Sequence, residues 1–486
     1  MTAVEHAALV MLVVGAATML ALASARVGAR IRVPAPALFL AGAVVVATLI
    51  PGLRVSLPHA QQAVGVALAL ILFHGGMGIG VRRLRGVAGA ITWLGIAGTA
   101  VTAAGLAAVA HYLFGFAWTP ALLLGTALSP TDPAVVFSVL GGRQVGGRTG
   151  TLLEGESGAN DPVGIALLIS VIGATGAGAS AALTGLGEFA LQMGVGLAVG
   201  LAGGIGLRWV VRRVPLSSEQ AYPILVVAAG TSIYGAASVA HGSGFLAVFL
   251  AGILLGDAQL PFRTEVQRFT ATLASLGEMV AFTVLGLSVP LLPLLGSADA
   301  LVGLGVAVLL MLAVRPVLVG LLLIPVRLRL PERVFVLWAG LKGAVPILLG
   351  LFILGTDVPD ADRLYRIIFV VVLISVVVQG GSVPLAARLL RIRMRAAEPL
   401  RPYATGLRFR SAPQGLYRYT VMAGSPADGA AVGDLALGDR TWLSLLRRGG
   451  DLVPLRRDTR LHPGDQVLAQ SDDDTDLERL FRPADE

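Results

Sequence analysis

The feature that most constrains this chain is a succession of apolar runs, each long enough to cross roughly 30 Å of hydrocarbon as a helix. They fall at about 7–24, 34–51, 61–80, 87–113, 117–140, 152–175, 185–210, 221–239, 243–256, 270–290, 298–325, 332–355 and 364–387. The spacing predicts thirteen transmembrane helices within the 486 residues. Composition agrees, because 55% of residues are hydrophobic and 14% charged, against roughly a quarter charged in a soluble domain. The mean hydropathy is +0.81. Gly and Ala are frequent in the runs and let helices approach closely in lipid. The absence of cysteine excludes disulfides, thiolate metal sites and cysteine-held clusters. The formal charge of +8 is scattered between the runs and forms no patch, which argues against a nucleic-acid partner.

Charge alternates along the connections. The odd-numbered ones hold groups of arginines, such as Arg82, Arg83 and Arg85 after the third run and Arg327, Arg329 and Arg333 after the eleventh. The even-numbered ones hold only Arg54, Arg363 and Arg366. The positive-inside rule therefore places the odd connections in the cytoplasm, the N-terminus outside and the C-terminus inside a bacterial-type inner membrane. The first run reads as a helix and not as a cleaved signal, because the segment before it holds Glu5 and no Lys or Arg.

After residue 395 the apolar runs stop and acidic residues outnumber basic ones. Residues 1–395 read as the membrane domain and 396–486 as a small cytoplasmic α+β module. Leu416 to Met422, Leu452 to Leu455 and Gln466 to Ala469 suggest strands between Gly, Pro and Asp turns. Asp439 is placed to cap a short helix over Thr441 to Leu446, ended by Gly449 and Gly450. The acidic end, Asp472 to Asp476 and Glu478, reads as a solvated tail.

Ionised groups at mid-bilayer cost at least about 2.5–3.5 kcal/mol, so each demands a reason. Those well inside a run are Asp132, Glu154, Glu156, Asp161, Glu278, Arg315 and Lys342, with Asn160 beside Asp161. In the fifth run Pro130 and Pro133 flank Thr131 and Asp132, which predicts a broken helix whose freed backbone groups line a cavity or bind something. In the sixth, Glu154, Ser157 and Asp161 share one helical face, and Glu156 and Asn160 the neighbouring one. The twelfth is interrupted by Gly340, Gly343 and Pro346 around Lys342. At 1.5 Å per residue, Asp132, Asp161 and Lys342 all lie roughly 12–15 Å from the cytoplasmic boundary, near the midplane. Two broken helices in corresponding halves point to an inverted-repeat secondary transporter.

Glu278 and Arg315 lie at similar depths and are equally compatible with a structural ion pair. His74 reads as a packed neutral histidine. A hydrolase would need Ser157 and His74 together, which nothing in the sequence arranges, so no enzyme activity is expected. A tail-regulated cation channel would need a carbonyl filter of the TVGYG type, which is lacking.

The TDP of residues 131–133 followed by the ESGANDP of 156–162 resembles the monovalent cation:proton antiporter-1 family, the NhaP-like exchangers. The resemblance covers the membrane domain. It implies an NhaA-like inverted-repeat fold, a homodimer, no cofactor, and exchange of K⁺ or Na⁺ for H⁺ by alternating access. It further implies Asp161 as the shared cation and proton site, with Asp132, Ser157 and the Thr131 carbonyl as further ligands of the transported ion. Asn160 and Glu156 would hold the crossing helices. Where the family pattern has an arginine in the twelfth helix, paired with the glutamate matching Glu156, this chain has Lys342. The Asn-Asp pair implies electroneutral exchange. The stretch GDLALGDRTWLSLLRRGGDLVPL with LHPGDQVLA resembles a TrkA-C type domain, which implies K⁺ as the favoured cation and a small-molecule regulator of the tail.

Overall fold

The computed structural model describes residues 35–49, 55–132, 143–174, 178–214, 218–258, 260–288, 297–396, 416–435, 441–449, 451–471 and 475–481, with a few isolated positions. The chain divides into two compact units, Met1–Ala397 and Glu398–Glu486.

The first unit is helical. Its helices are α1 (Ala35–Leu49), α2 (Leu57–Arg85), α3 (Ala88–Phe114), α4 (Trp118–Ala127), α5 (Gly147–Gly173), α6 (Gly178–Arg213), α7 (Ala221–Val239) and α8 (Gly244–Gly256). They continue with α9 (Arg263–Leu287), α10 (Ala298–Leu322), α11 (Leu330–Trp338), α12 (Ala344–Leu354) and α13 (Ala361–Leu389). Among the described residues, seven helices are long and apolar enough to cross a membrane. The described helix of the fifth run ends at Ala127, the twelfth run is split between α11 and α12, and most of the first run lies outside the described residues.

Small residues set the packing. A Cβ on Gly76 would collide with the Phe249 carbonyl of α8, and one on Gly252 with the Phe73 carbonyl of α2, so these two backbones touch directly. Gly125 of α4 lies in the same way against Ala103 of α3. Two of the arginines at the otherwise arginine-poor end are neutralised locally. Arg363 Nε and Arg366 Nη2 reach Asp299 at 3.1 and 2.8 Å, and Arg363 also lies over the Phe116 ring at 4.5 Å. His74 is a packed histidine, its Nδ1 3.2 Å from Thr270 Oγ1.

Strand β1 (Arg143–Val145), just before α5, pairs antiparallel with β2 (Met394–Ala396), just after α13. The Gly146 N–H continues the ladder to the Arg393 carbonyl at 2.9 Å.

The second unit is a four-stranded antiparallel sheet of β3 (Leu416–Thr420), β4 (Trp442–Arg448), β5 (Asp451–Val453) and β6 (Gln466–Gln470), in the order β3-β6-β4-β5. Two sequence expectations are corrected here. The segment expected as a helix over Thr441 to Leu446 is instead strand from Trp442 onward, as β4: Gly449, at φ 60°, turns the chain towards β5, and both neighbours supply ladder hydrogen bonds. Asp439 lies outside the described residues. Part of the acidic end is not a solvated tail, because Thr475–Phe481 forms helix α14, which buries Leu477 and Phe481 in the small core. Phe481 stacks on Tyr419 with ring centroids 5.1 Å apart.

Candidate functional site

The fifth run breaks where its prolines predict. Helix α4 ends at Ala127, and Leu128 to Asp132 are non-helical. Ser129 Oγ donates to the Thr126 carbonyl at 2.8 Å, satisfying one freed acceptor. The twelfth run breaks between α11 and α12, leaving Gly340 to Gly343 outside any helix, with a tight turn closed by the Leu341 N–H to the Ala339 carbonyl at 2.9 Å. The two unwound segments meet: the Asp132 N–H donates to the Leu341 carbonyl at 2.8 Å.

Helix α5 holds the first break through side chains. Ser157 Oγ donates to the Thr131 carbonyl at 2.6 Å. Asn160 Nδ2 donates to Thr131 Oγ1 at 2.7 Å, and Asn160 Oδ1 accepts the Thr131 N–H at 3.3 Å. Thr131, Asn160 and Ser157 are all buried. Asp161, one residue on, is 5% exposed, and among the described residues nothing donates a hydrogen bond to its Oδ1. Pro162 follows inside the helix and leaves the Gly158 carbonyl without its helical donor.

Each half-helix end meets the charge its dipole favours. Lys342 Nζ donates to the Ser129 and Pro130 carbonyls at 3.0 and 2.9 Å, beyond the C-terminus of α4. The Asp132 side chain packs on Gly343, the N-cap of α12, with no room for a Cβ there. Two residues that the sequence reading did not single out complete the crossing. Ser375 Oγ accepts the Lys342 N–H at 2.9 Å and donates to Gln379 Oε1 at 2.7 Å, and Gln379 Nε2 donates to the Trp338 carbonyl at 3.1 Å. Their signal was visible as two polar residues at i, i+4 in the apolar thirteenth run.

The ion pairs differ from expectation. Arg315, and not Lys342, pairs with Glu156: Nη2 lies 2.9 Å from Oε1, with both side chains at most 5% exposed. The guanidinium also donates to the Leu337 and Val336 carbonyls at 3.1 and 3.4 Å, closing the C-terminus of α11. A wide π-type turn over Leu310–Val319, around Pro316, carries this arginine. Glu278 does not pair with Arg315, whose fork is already engaged, and among the described residues nothing donates to Glu278 Oε1. Glu154 stands apart from the crossing, 3.9 Å from the half-exposed Arg83.

Residues 15–389 match the family model described as "Sodium/hydrogen exchanger, transmembrane". The chain is 34% identical over 390 residues to the K(+)/H(+) antiporter NhaP of Alkalimonas amylolytica, covering 79% of this chain and 67% of that one. It is 34% identical over 432 residues to the K(+)/H(+) antiporter NhaP2 of Shewanella sp. (strain MR-4), covering 87% and 74%. The fold resembles that of the sodium proton antiporter MjNhaP1 from Methanocaldococcus jannaschii, with a TM-score of 0.65 at 22% identity, covering 77% of this chain and 97% of that one. With a family match over most of its length, and relatives a third identical over more than four-fifths of it, this chain belongs to the sodium/hydrogen exchanger family.

Proposed function

We propose that the protein is a secondary antiporter that exchanges a monovalent cation for H⁺, with Asp161 as the shared site. The observation that carries this reading is a buried carboxylate with one oxygen lacking a donor among the described residues, beside two buried cations, Lys342 and Arg315, that are already engaged elsewhere. A dehydrated cation stabilises the ionised carboxylate and a proton displaces it, so one site serves two competing ligands. Asp132, Ser157 and the Thr131 carbonyl are the further cation ligands in this account. Asn160, Glu156 and Lys342 keep the crossing together.

K⁺ is the favoured cation and Na⁺ the alternative; the relatives named as K(+)/H(+) antiporters support that order. Exchange is electroneutral, one cation for one proton. Alternating access moves one bundle against the other in a thirteen-helix inverted-repeat fold, assembled as a homodimer in an inner membrane with the C-terminus in the cytoplasm. The 398–486 unit is a TrkA-C-like regulatory domain responding to a small molecule. The β1–β2 pair supports a mechanical role for that tail, because it hydrogen-bonds the chain leading to the tail to the start of the helix bearing Asp161.

The test is dye-reported ΔpH in acid-loaded proteoliposomes, with K⁺ or Na⁺ added outside and the membrane potential clamped. Cation-driven proton efflux that is absent in Asp161→Asn supports the reading. Cation flux without proton movement would replace it with a channel, and a response to Na⁺ alone would overturn the K⁺ preference.

A further inference from the structure

A cavity of about 520 Å³ opens at the arginine-rich end of the bundle. Gly86, Gly89 and Trp93 line it from the start of α3, Arg148 from the first turn of α5, and Pro325 and Arg327 from the connection between α10 and α11.

Two guanidiniums, carried by different elements, line this one cavity. Arg83 reaches Glu154 and the Gly78 carbonyl, Arg263 the Gly256 carbonyl, and Arg333 the Ile324 and Val326 carbonyls. Arg148 and Arg327, like Arg82, Arg85, Arg208, Arg212 and Arg213, have no ion-pair or side-chain hydrogen-bond partner among the described residues, and they alone of these line the cavity. Two like charges lining one cavity repel unless an anion lies between them, and the planar guanidinium fork matches phosphate oxygens. The first-turn amides of α5 add to this, since its N-cap, Gly146, supplies no side chain to them.

The rest of the lining fits a lipid better than a free ion. Trp93 is 47% exposed and its Nε1 donates to the Leu322 carbonyl at 3.2 Å, the half-wet posture of an interfacial tryptophan. Leu321 and Ile324, just before Pro325, are each 59% exposed and offer apolar surface to an acyl chain.

We propose that this cavity binds the headgroup of an anionic phospholipid, its phosphodiester held between Arg148 and Arg327 and its chains lying along Leu321 and Ile324. Basic recesses between helix ends at the cytoplasmic surface recognise lipids by this chemistry. The bound lipid braces two segments that meet at the crossing, because Arg148 opens the helix bearing Asp161 and Arg327 precedes the broken helix bearing Lys342. Exchange therefore runs faster in anionic than in zwitterionic membranes.

Native mass spectrometry of the full-length protein, titrated with phosphatidylglycerol or phosphatidylcholine, reads the binding. Phosphatidylglycerol affinity should fall about fivefold in Arg148→Gln or Arg327→Gln and about thirtyfold in the double variant, with phosphatidylcholine unaffected. Should the double variant misfold, Arg148→Lys with Arg327→Lys keeps the charge without the fork and should lose part of the preference. Undiminished phosphatidylglycerol retention in either double variant would overturn the proposal. Equal thermal protection by inorganic phosphate alone would overturn the lipid as its source. The binding readout needs no transport, so a protein that bound lipid in this way but exchanged nothing would refute the antiporter reading and leave this proposal supported.

Discussion

Arg315 and Lys342 carry the same charge near the same broken helix and do different things because their donors differ in geometry. The arginine fork spans Glu156 and two carbonyls at the end of α11, whereas the lysine ammonium points its protons at two carbonyls beyond α4. Removing one member of a buried pair strands the other, at about 3–5 kcal/mol. Arg315→Leu should therefore lower the thermal midpoint sharply in detergent, with Arg315→Lys intermediate because it keeps the charge and loses the fork. Gly343→Ala tests the other side of the crossing. A methyl there must displace the Asp132 side chain, so the variant should assemble yet lose most of its cation-driven proton efflux. Wild-type efflux would show that Asp132 need not sit at the α12 N-cap.

At the scale of elements, the breaks were legible in the sequence because Pro130, Pro133, Gly340, Gly343 and Pro346 each act on the local backbone. The pairings across the crossing were not. Depth along the membrane normal is one coordinate, and it made Glu278 look like a neighbour of Arg315 without saying which way their helices faced, while the family pattern alone set Lys342 opposite Glu156. Local pattern also failed for Thr441 to Leu446, a run short enough to suit a helix or a strand until the sheet selects one. Ser375 and Gln379 passed unnoticed because isolated polar residues in a span usually bond their own helix; here they bind the Lys342 N–H and the Trp338 carbonyl of another. Ser375→Ala or Gln379→Ala strands a buried backbone group and should each cost about 1–3 kcal/mol, read as a fall in thermal midpoint. An unchanged midpoint would mean that the crossing does not depend on α13.

At the scale of the whole molecule, the 398–486 unit has its own pH sensitivity. Burial alone would raise the Asp465 carboxyl, but hydrogen bonds from Arg448 and the His462 N–H, together with the guanidinium charge, hold it below the usual carboxylate range. A carboxylate depressed in the folded state adds stability that is fully present above its unfolded value, about 3.9, and is lost as pH falls through the folded one. Amide hydrogen exchange over residues 442–470 of the full chain, corrected for intrinsic rates, should stay flat from neutrality to about pH 5 and rise below about pH 4. In Asp465→Asn the rise should disappear and protection should already be lower at neutral pH.

The central claim is that one carboxylate binds both the cation and the proton, and competition tests it most directly. In proteoliposomes with potential and lipid held constant, the half-saturating K⁺ concentration is measured against pH. The account predicts a rise of about tenfold for each unit of acidification on the acid limb, the behaviour of one proton displacing one cation. A half-saturation that does not move with pH while exchange continues would contradict a shared site at Asp161.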